Sequence, residues 1–219
     1  MRLQKSLYSK YLYIREKRLH ATWMNREAEL TWLPDVLMWT REANWFRSRR
    51  ALFLERFPHH LGGLARSLLD GLEHAPSLAN ERLAHAPPTL LHGDFHLDNL
   101  MFDSGPVFLD WSRPVRGPAA LNLAELLFDM TPLRNLDAVF RRYFATLEET
   151  SRYPLDRAAL EQQLGGALLR KFATATCGVA LWQPSTPREA QLIELGIRQA
   201  SDAVAFWHER NPALFLSFR

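Results

Sequence analysis

Hydrophobic and polar positions along this chain mostly repeat at helical spacing, and prolines divide the repeats. Residues 3–31 carry long-side-chain helix formers with neither Gly nor Pro, until Pro34 breaks the run in "TWLPDVL". Residues 36–57, with Trp39, Trp45, Phe46, Leu52, Phe53 and Phe57, predict one or two aromatic-rich helices ending at Pro58. In "LGGLARSLLDGLEH" the leucines at 61, 64, 68, 69 and 72 recur on one helical face, and "APP" at 86–88 stops the helices. Further helices are expected over 119–130, 134–150, 155–182 and 187–209, separated by Pro132, Pro154, Pro184 and Pro187.

A short island between residues 89 and 110 breaks the helical rhythm. "TLL" (89–91) is an extended run, and "LMF" (100–102) and "VFL" (107–109) flank the turn formers "DSGP", which predicts a hairpin. If Phe102 pairs with Val107 and Met101 with Phe108, then Leu100 faces Leu109. Asn99 and Asp110 then oppose each other at the mouth, ~5 Å apart at Cβ. An amide oxygen and a carboxylate are hard ligands that suit Mg²⁺ better than zinc. The expected fold is mainly α with a small central β-hairpin.

Composition adds limits. The 219 residues suffice for one substantial core or two small domains, and 47% hydrophobic with 23% charged residues is ordinary for a globular protein. Apolar runs are too short for a membrane span, and the first eighteen residues lack a secretory apolar core. Cys177, the single cysteine, excludes an internal disulfide and sits in the apolar "ATATCGVALW". It reads as a buried, inert thiol, and cytoplasm is the expected compartment. Basicity is local: residues 1–18 carry a net +5, whereas 19–219 carry −2. The arm reads as a solvated terminus, so no nucleic-acid partner is expected.

The chemistry concentrates in "LLHGDFHLDNLMF", residues 90–102. His92-Gly-Asp94-Phe-x-x-x-Asn99 matches the kinase catalytic loop H-R-D-L-x-x-x-N, with Gly93 in place of Arg. In that template the Asp takes the proton of the attacking hydroxyl, the Asn binds metal, and a later Asp binds metal bridging the phosphates. Asp110, at a strand end and followed by Trp111, stands where that later Asp belongs. "LLHGDFHLDNLMF…VFLDW" resembles the catalytic and metal loops of the aminoglycoside phosphotransferase and choline kinase superfamily, a protein-kinase-like fold. "RLHATW…LTWLP" and "GPAALNLAELL" resemble its ecdysteroid-kinase-like branch most closely. The resemblance implies that 19–219 form the helical C-terminal lobe, with a catalytic loop at 92–99 and a metal loop at 110–111. It implies Asp94 as catalytic base, His92 as loop-positioning residue, Asn99 and Asp110 as Mg²⁺ ligands, ATP as donor and a small-molecule hydroxyl as acceptor.

Two departures from the family pattern qualify this. An aspartate usually follows "RGP" just before "L-A", where it pins the catalytic-loop backbone; here Asn122 stands there, an acceptor without charge. The family's N-terminal β lobe, with its phosphate-covering glycine loop and strand lysine, has no counterpart, since the first glycine is Gly62. On this reading residues 1–219 alone are expected not to turn over ATP usefully, and a non-catalytic kinase-like module is the alternative function. The face left open by the missing lobe is expected to be apolar, available for self-association or for a separate N-lobe. His96 and Asp98 are expected only to tie the loop. A zinc hydrolase built on His92, Asp94 and His96 fares poorly because no remote third histidine is marked out. Trp32, Trp39, Trp45 and Trp182 are candidates to line an acceptor cleft.

Overall fold

The computed structural model describes residues 19–24, 26–38, 43–71, 74–102, 106–130, 136–150 and 156–212, so the basic arm, Trp39 and the tip of the DSGP turn lie outside it. After a helical segment over 19–23 come short 3-10 turns at Glu27–Leu30 and Val36–Met38. The helices α1 (Ala43–Arg56), α2 (Gly63–Asp70) and α3 (Ala75–Leu83) follow. Next are the strands β1 (Pro88–Leu91), β2 (Leu100–Phe102), β3 (Pro106–Phe108) and β4 (Val115–Pro118). The chain then runs through α4 (Ala120–Met130), α5 (Leu136–Thr150), α6 (Arg157–Leu181) and α7 (Pro187–Arg210). The mainly helical expectation stands, and no described helix is long and apolar enough to cross a membrane.

The chain divides into two units, Met1–Trp39 with His85–Leu164, and Thr40–Ala84 with Gly165–Arg219. In the first, β1 and β4 pair antiparallel with Leu91 opposite Val115, and Arg116 also bridges to Asp35. Sequence patterning missed β4 because "VRGP" carries two residues that are poor in strands. The fold needs that glycine: a Cβ on Gly117 would overlap Val36. The unit's core includes Leu30, Leu91, Phe95, Leu123, Leu127, Tyr143 and Leu147. His20, fully buried, hydrogen-bonds the Tyr143 hydroxyl at 2.9 Å and accepts the Thr89 hydroxyl on its carbonyl at 3.0 Å.

The hairpin forms in a different register from the one expected. Leu100 pairs with Phe108, Met101 with Val107 and Phe102 with Pro106. Pro106 enters the ladder at the first position of β3, where its missing N–H costs least, so the connection is one residue shorter. The slip changes every cross-strand partner. The Leu109 N–H bonds the Asn99 carbonyl at 2.8 Å, so Asn99 faces Leu109 and not Asp110.

In the second unit, Phe46, Phe53, Leu69, Leu83, Phe172, Ile197 and Val204 are buried. Gly166 lets α6 approach α3, since a Cβ there would lie 3.1 Å from the Ala79 carbonyl oxygen. Arg56 donates to the carbonyls of Ala180 and Trp182 at 2.6 Å, satisfying acceptors at the end of α6. Thr186 caps α7, accepting from the Glu189 N–H at 3.2 Å, and Glu189 accepts from Ser185 in return. Cys177 is buried, as expected. Trp182, like Trp32 in the first unit, is largely exposed.

Candidate active site

The strand β1 delivers His92 into the interior, where it is 1% exposed. Its Nε2–H donates to the Leu109 carbonyl at 2.7 Å, and its ring lies 4.6 Å from Trp111 and 6.0 Å from Phe95, centroid to centroid. Phe108 completes the nest at 6.3 Å. His92 therefore ties the loop leaving β1 to the one leaving β3.

Gly93 has φ +81°, and a Cβ there would overlap the Arg113 carbonyl oxygen. Only glycine meets both demands, which explains its presence where the kinase template has arginine. Asp94 follows, with 47% of its side chain exposed. The chain then makes a 3-10 turn at Leu97–Asn99, closed by the Asn99 N–H on the His96 carbonyl at 3.1 Å. The Asn99 Nδ2 donates to the Asp94 carbonyl at 2.9 Å and lies 3.0 Å from His96 Nε2. Asp94 and Asn99 are thus brought together in one turn. His96 sits between them, 3.7 Å from Asp94 Oδ2, while the Asp98 side chain is fully exposed.

Asp110 comes two residues after β3, and its φ of 54° places it in the left-handed region, uncommon outside glycine. The Ser112 hydroxyl holds its carboxyl below the usual carboxylate range, and the Ser112 backbone N–H, the His92 ring and Arg113 add to this. Asp110 is exposed and ionised, and the bond from His92 to Leu109 fixes the residue before it.

One holding residue was not anticipated. The Phe95 N–H, beside Asp94, donates to Glu125 Oε2 on α4 at 3.0 Å. Asn122, expected in that role, is 2% exposed and its Nδ2 is buried without a partner. Residues 122 and 125 lie about one turn apart on one helix face. The sequence signal was weak, an acidic residue in a helix that also carries Asn122 and Asp129.

The donors fit a hard cation. Once the Asn99 Nδ2 is turned to Asp94, its oxygen is the polar end left over, and Asp110 adds a carboxylate, an all-oxygen set of the kind Mg²⁺ completes with water and phosphate. No group of three or more His, Cys, Asp or Glu suited to a metal occurs among the described residues. Around these loops Met101, Leu109 and Trp111 are exposed at 50%, 40% and 38%.

Against known proteins, residues 17–160 match the phosphotransferase enzyme family (APH). No curated protein matches the sequence. Among solved structures, an aminoglycoside phosphotransferase from Alicyclobacillus acidocaldarius subsp. acidocaldarius DSM 446 superposes with a TM-score of 0.52 at 16% identity. The match covers 91% of this chain and 65% of that one, so the chain spans less than two thirds of its structural neighbour. With Asp94 and Asn99 bonded across one turn and residues 17–160, more than half of the sequence, matched, this chain belongs to the phosphotransferase enzyme family.

Proposed function

We propose that the chain is the helical lobe of an ATP-dependent kinase that phosphorylates a hydroxyl on a small molecule. The observation that carries this is the turn at 94–99. There the Asn99 Nδ2 is bonded to the Asp94 main-chain carbonyl, which supports reading the two residues as parts of one catalytic loop. Asp94 receives the proton of the acceptor hydroxyl as that oxygen bonds to the γ-phosphorus and the bond from the γ-phosphorus to the β–γ bridging oxygen breaks, releasing ADP. Asn99 and Asp110 would hold Mg²⁺, which, when bound, neutralises charge on the phosphates. His92 and Glu125 act by position, the first on the metal loop and the second on the backbone next to Asp94. The acceptor is an alcohol, and the likeness of "RLHATW" and "GPAALNLAELL" to the ecdysteroid-kinase-like branch favours a bulky apolar one.

A second reading has support in the exposed Met101, Leu109 and Trp111. In it, this lobe binds a cation without turning over nucleotide, and the apolar face receives a separate N-lobe or a second copy. One pair of measurements separates the readings. Mn²⁺ binding is measured first, then ADP release from Mg-ATP across a panel of hydroxyl compounds. Turnover lost in both Asp94→Asn and Asp110→Ala supports catalysis by this chain. Cation binding lost in Asp110→Ala, with no turnover in any form, supports the second reading. A wild-type chain that neither binds Mn²⁺ nor releases ADP refutes both.

A further inference from the structure

An asparagine side chain has two ends of nearly equal shape and opposite function: an oxygen with lone pairs and an NH₂ with two protons. Only the oxygen can ligate a cation, so an asparagine that serves a metal must be held the right way round. At Asn99 the structure shows what holds it. The amide end facing the Asp94 carbonyl lies 2.9 Å from it. A carbonyl only accepts, so that end is the NH₂ whichever way the amide is drawn. This bond engages one proton and leaves the other free to be satisfied or not.

His96 engages the second. Its Nε2 is 3.0 Å from the same Asn99 nitrogen. Two N–H groups at that distance would repel, so Nε2 carries the lone pair and the ring proton is on Nδ1. That nitrogen lies 4.0 Å from the Asp98 carboxylate, an electrostatically suitable neighbour. Asp94 Oδ2, at 3.7 Å from Nε2, is beyond hydrogen-bonding distance. The His96 carbonyl also takes the Asn99 backbone N–H at 3.1 Å, so one residue grips Asn99 by main chain and side chain together.

We infer that His96 is a positioning residue: its Nε2 lone pair, with the Asp94 carbonyl, locks the Asn99 amide with its oxygen outward. The inference rests on the proposed cation role of Asn99 for its functional meaning, but the orientation itself is a property of the bare chain. Partners of this kind behind a metal ligand change affinity by about ten- to a hundredfold. His96 supplies one of two restraints, so a loss of about tenfold is expected. The His96 side chain is 36% exposed, whereas His92 is buried.

The test uses ¹⁵N-labelled 1–219 and three substitutions. NMR reads the exchange of the Asn99 Nδ2 protons with water and the protonated nitrogen of the His96 ring. Both Asn99 protons should be protected and His96 should show a bare Nε2. His96→Leu should release one proton to fast exchange, and His96→Gln, whose Oε1 reaches the Nε2 position, should keep it protected. Mn²⁺ binding, followed by electron paramagnetic resonance, should weaken about tenfold in His96→Leu and recover in His96→Gln. It should vanish in Asp110→Ala. A proton on His96 Nε2 in the wild type, or Asn99 exchange unaltered by His96→Leu, overturns the inference. If the wild type binds no Mn²⁺, the cation reading fails while the exchange data still judge the orientation. If His96→Leu does not fold, the wild-type tautomer and the His96→Gln protons decide alone.

Discussion

Mild acid should destabilise this protein through a single residue. His20 is fully buried, bonded by Nδ1 to the Tyr143 hydroxyl, and burial pushes its pKa down to about 3 from 6.5. Below pH 6.5 the unfolded chain takes up a proton there and the folded chain does not. A histidine whose folded pKa is lowered therefore contributes full stability above 6.5 and loses it as pH falls toward 3. The slope is about 1.4 kcal/mol per pH unit, so going from pH 6.5 to 5 costs about 2 kcal/mol. Against a typical total of about 5–15 kcal/mol, that is a large share. Lowered carboxylates such as Asp110 and Glu189 shed their contribution only at or below the ordinary carboxylate range, under this window. Urea midpoints at half-unit steps from pH 7.5 to 5 should fall steadily below 6.5 in the wild type. His20→Asn, which can still reach the Tyr143 hydroxyl but does not titrate, should be weaker at pH 7.5 and nearly flat. Parallel curves for the two proteins would refute the reasoning.

Gly93→Ala should destabilise by more than about 2 kcal/mol, combining a left-handed penalty with the overlap on Arg113, and lower Tm by about 4–8 °C. Gly178→Ala should do the reverse, because the site is inside α6 with open space around it; calorimetry should show a gain of about 0.5–1 kcal/mol. Glu125→Ala should leave the Phe95 N–H without its acceptor, at a cost of about 1–3 kcal/mol and with faster exchange of that amide, whereas Glu125→Gln should keep most of the protection. Burial pushes the Cys177 thiol up to about 12 from 9, against a smaller opposing effect of Arg49. Its unfolded form therefore ionises first, and stability should decline as pH rises from 9 toward 12, a decline absent in Cys177→Ala.

What could be read from the sequence divides according to where the deciding bond is. Helices α4 to α7 begin and end within two residues of expectation, because their boundaries are set by local groups: Pro187 in the first turn, Thr186 accepting from Glu189 three residues on, prolines that stop the ladder. Asp94 and Asn99 were picked out by motif spacing, and the bond that joins them spans only five residues. The hairpin was found but slipped by one, since three-residue strands carry too little alternation to fix a register, and Pro106 decided it. The strand β4 exists because β1 and Val36 need a partner without a side chain at Gly117, a demand made by residues 26 and 81 positions away. Glu125 is the sharpest case. Helical phase puts 122 and 125 on one face of α4, and periodicity alone does not choose between an amide and a longer carboxylate one turn on. The choice is made thirty residues away, where the Phe95 N–H needs an acceptor, and the longer, charged side chain satisfies it while the Asn122 Nδ2 is left buried without a partner.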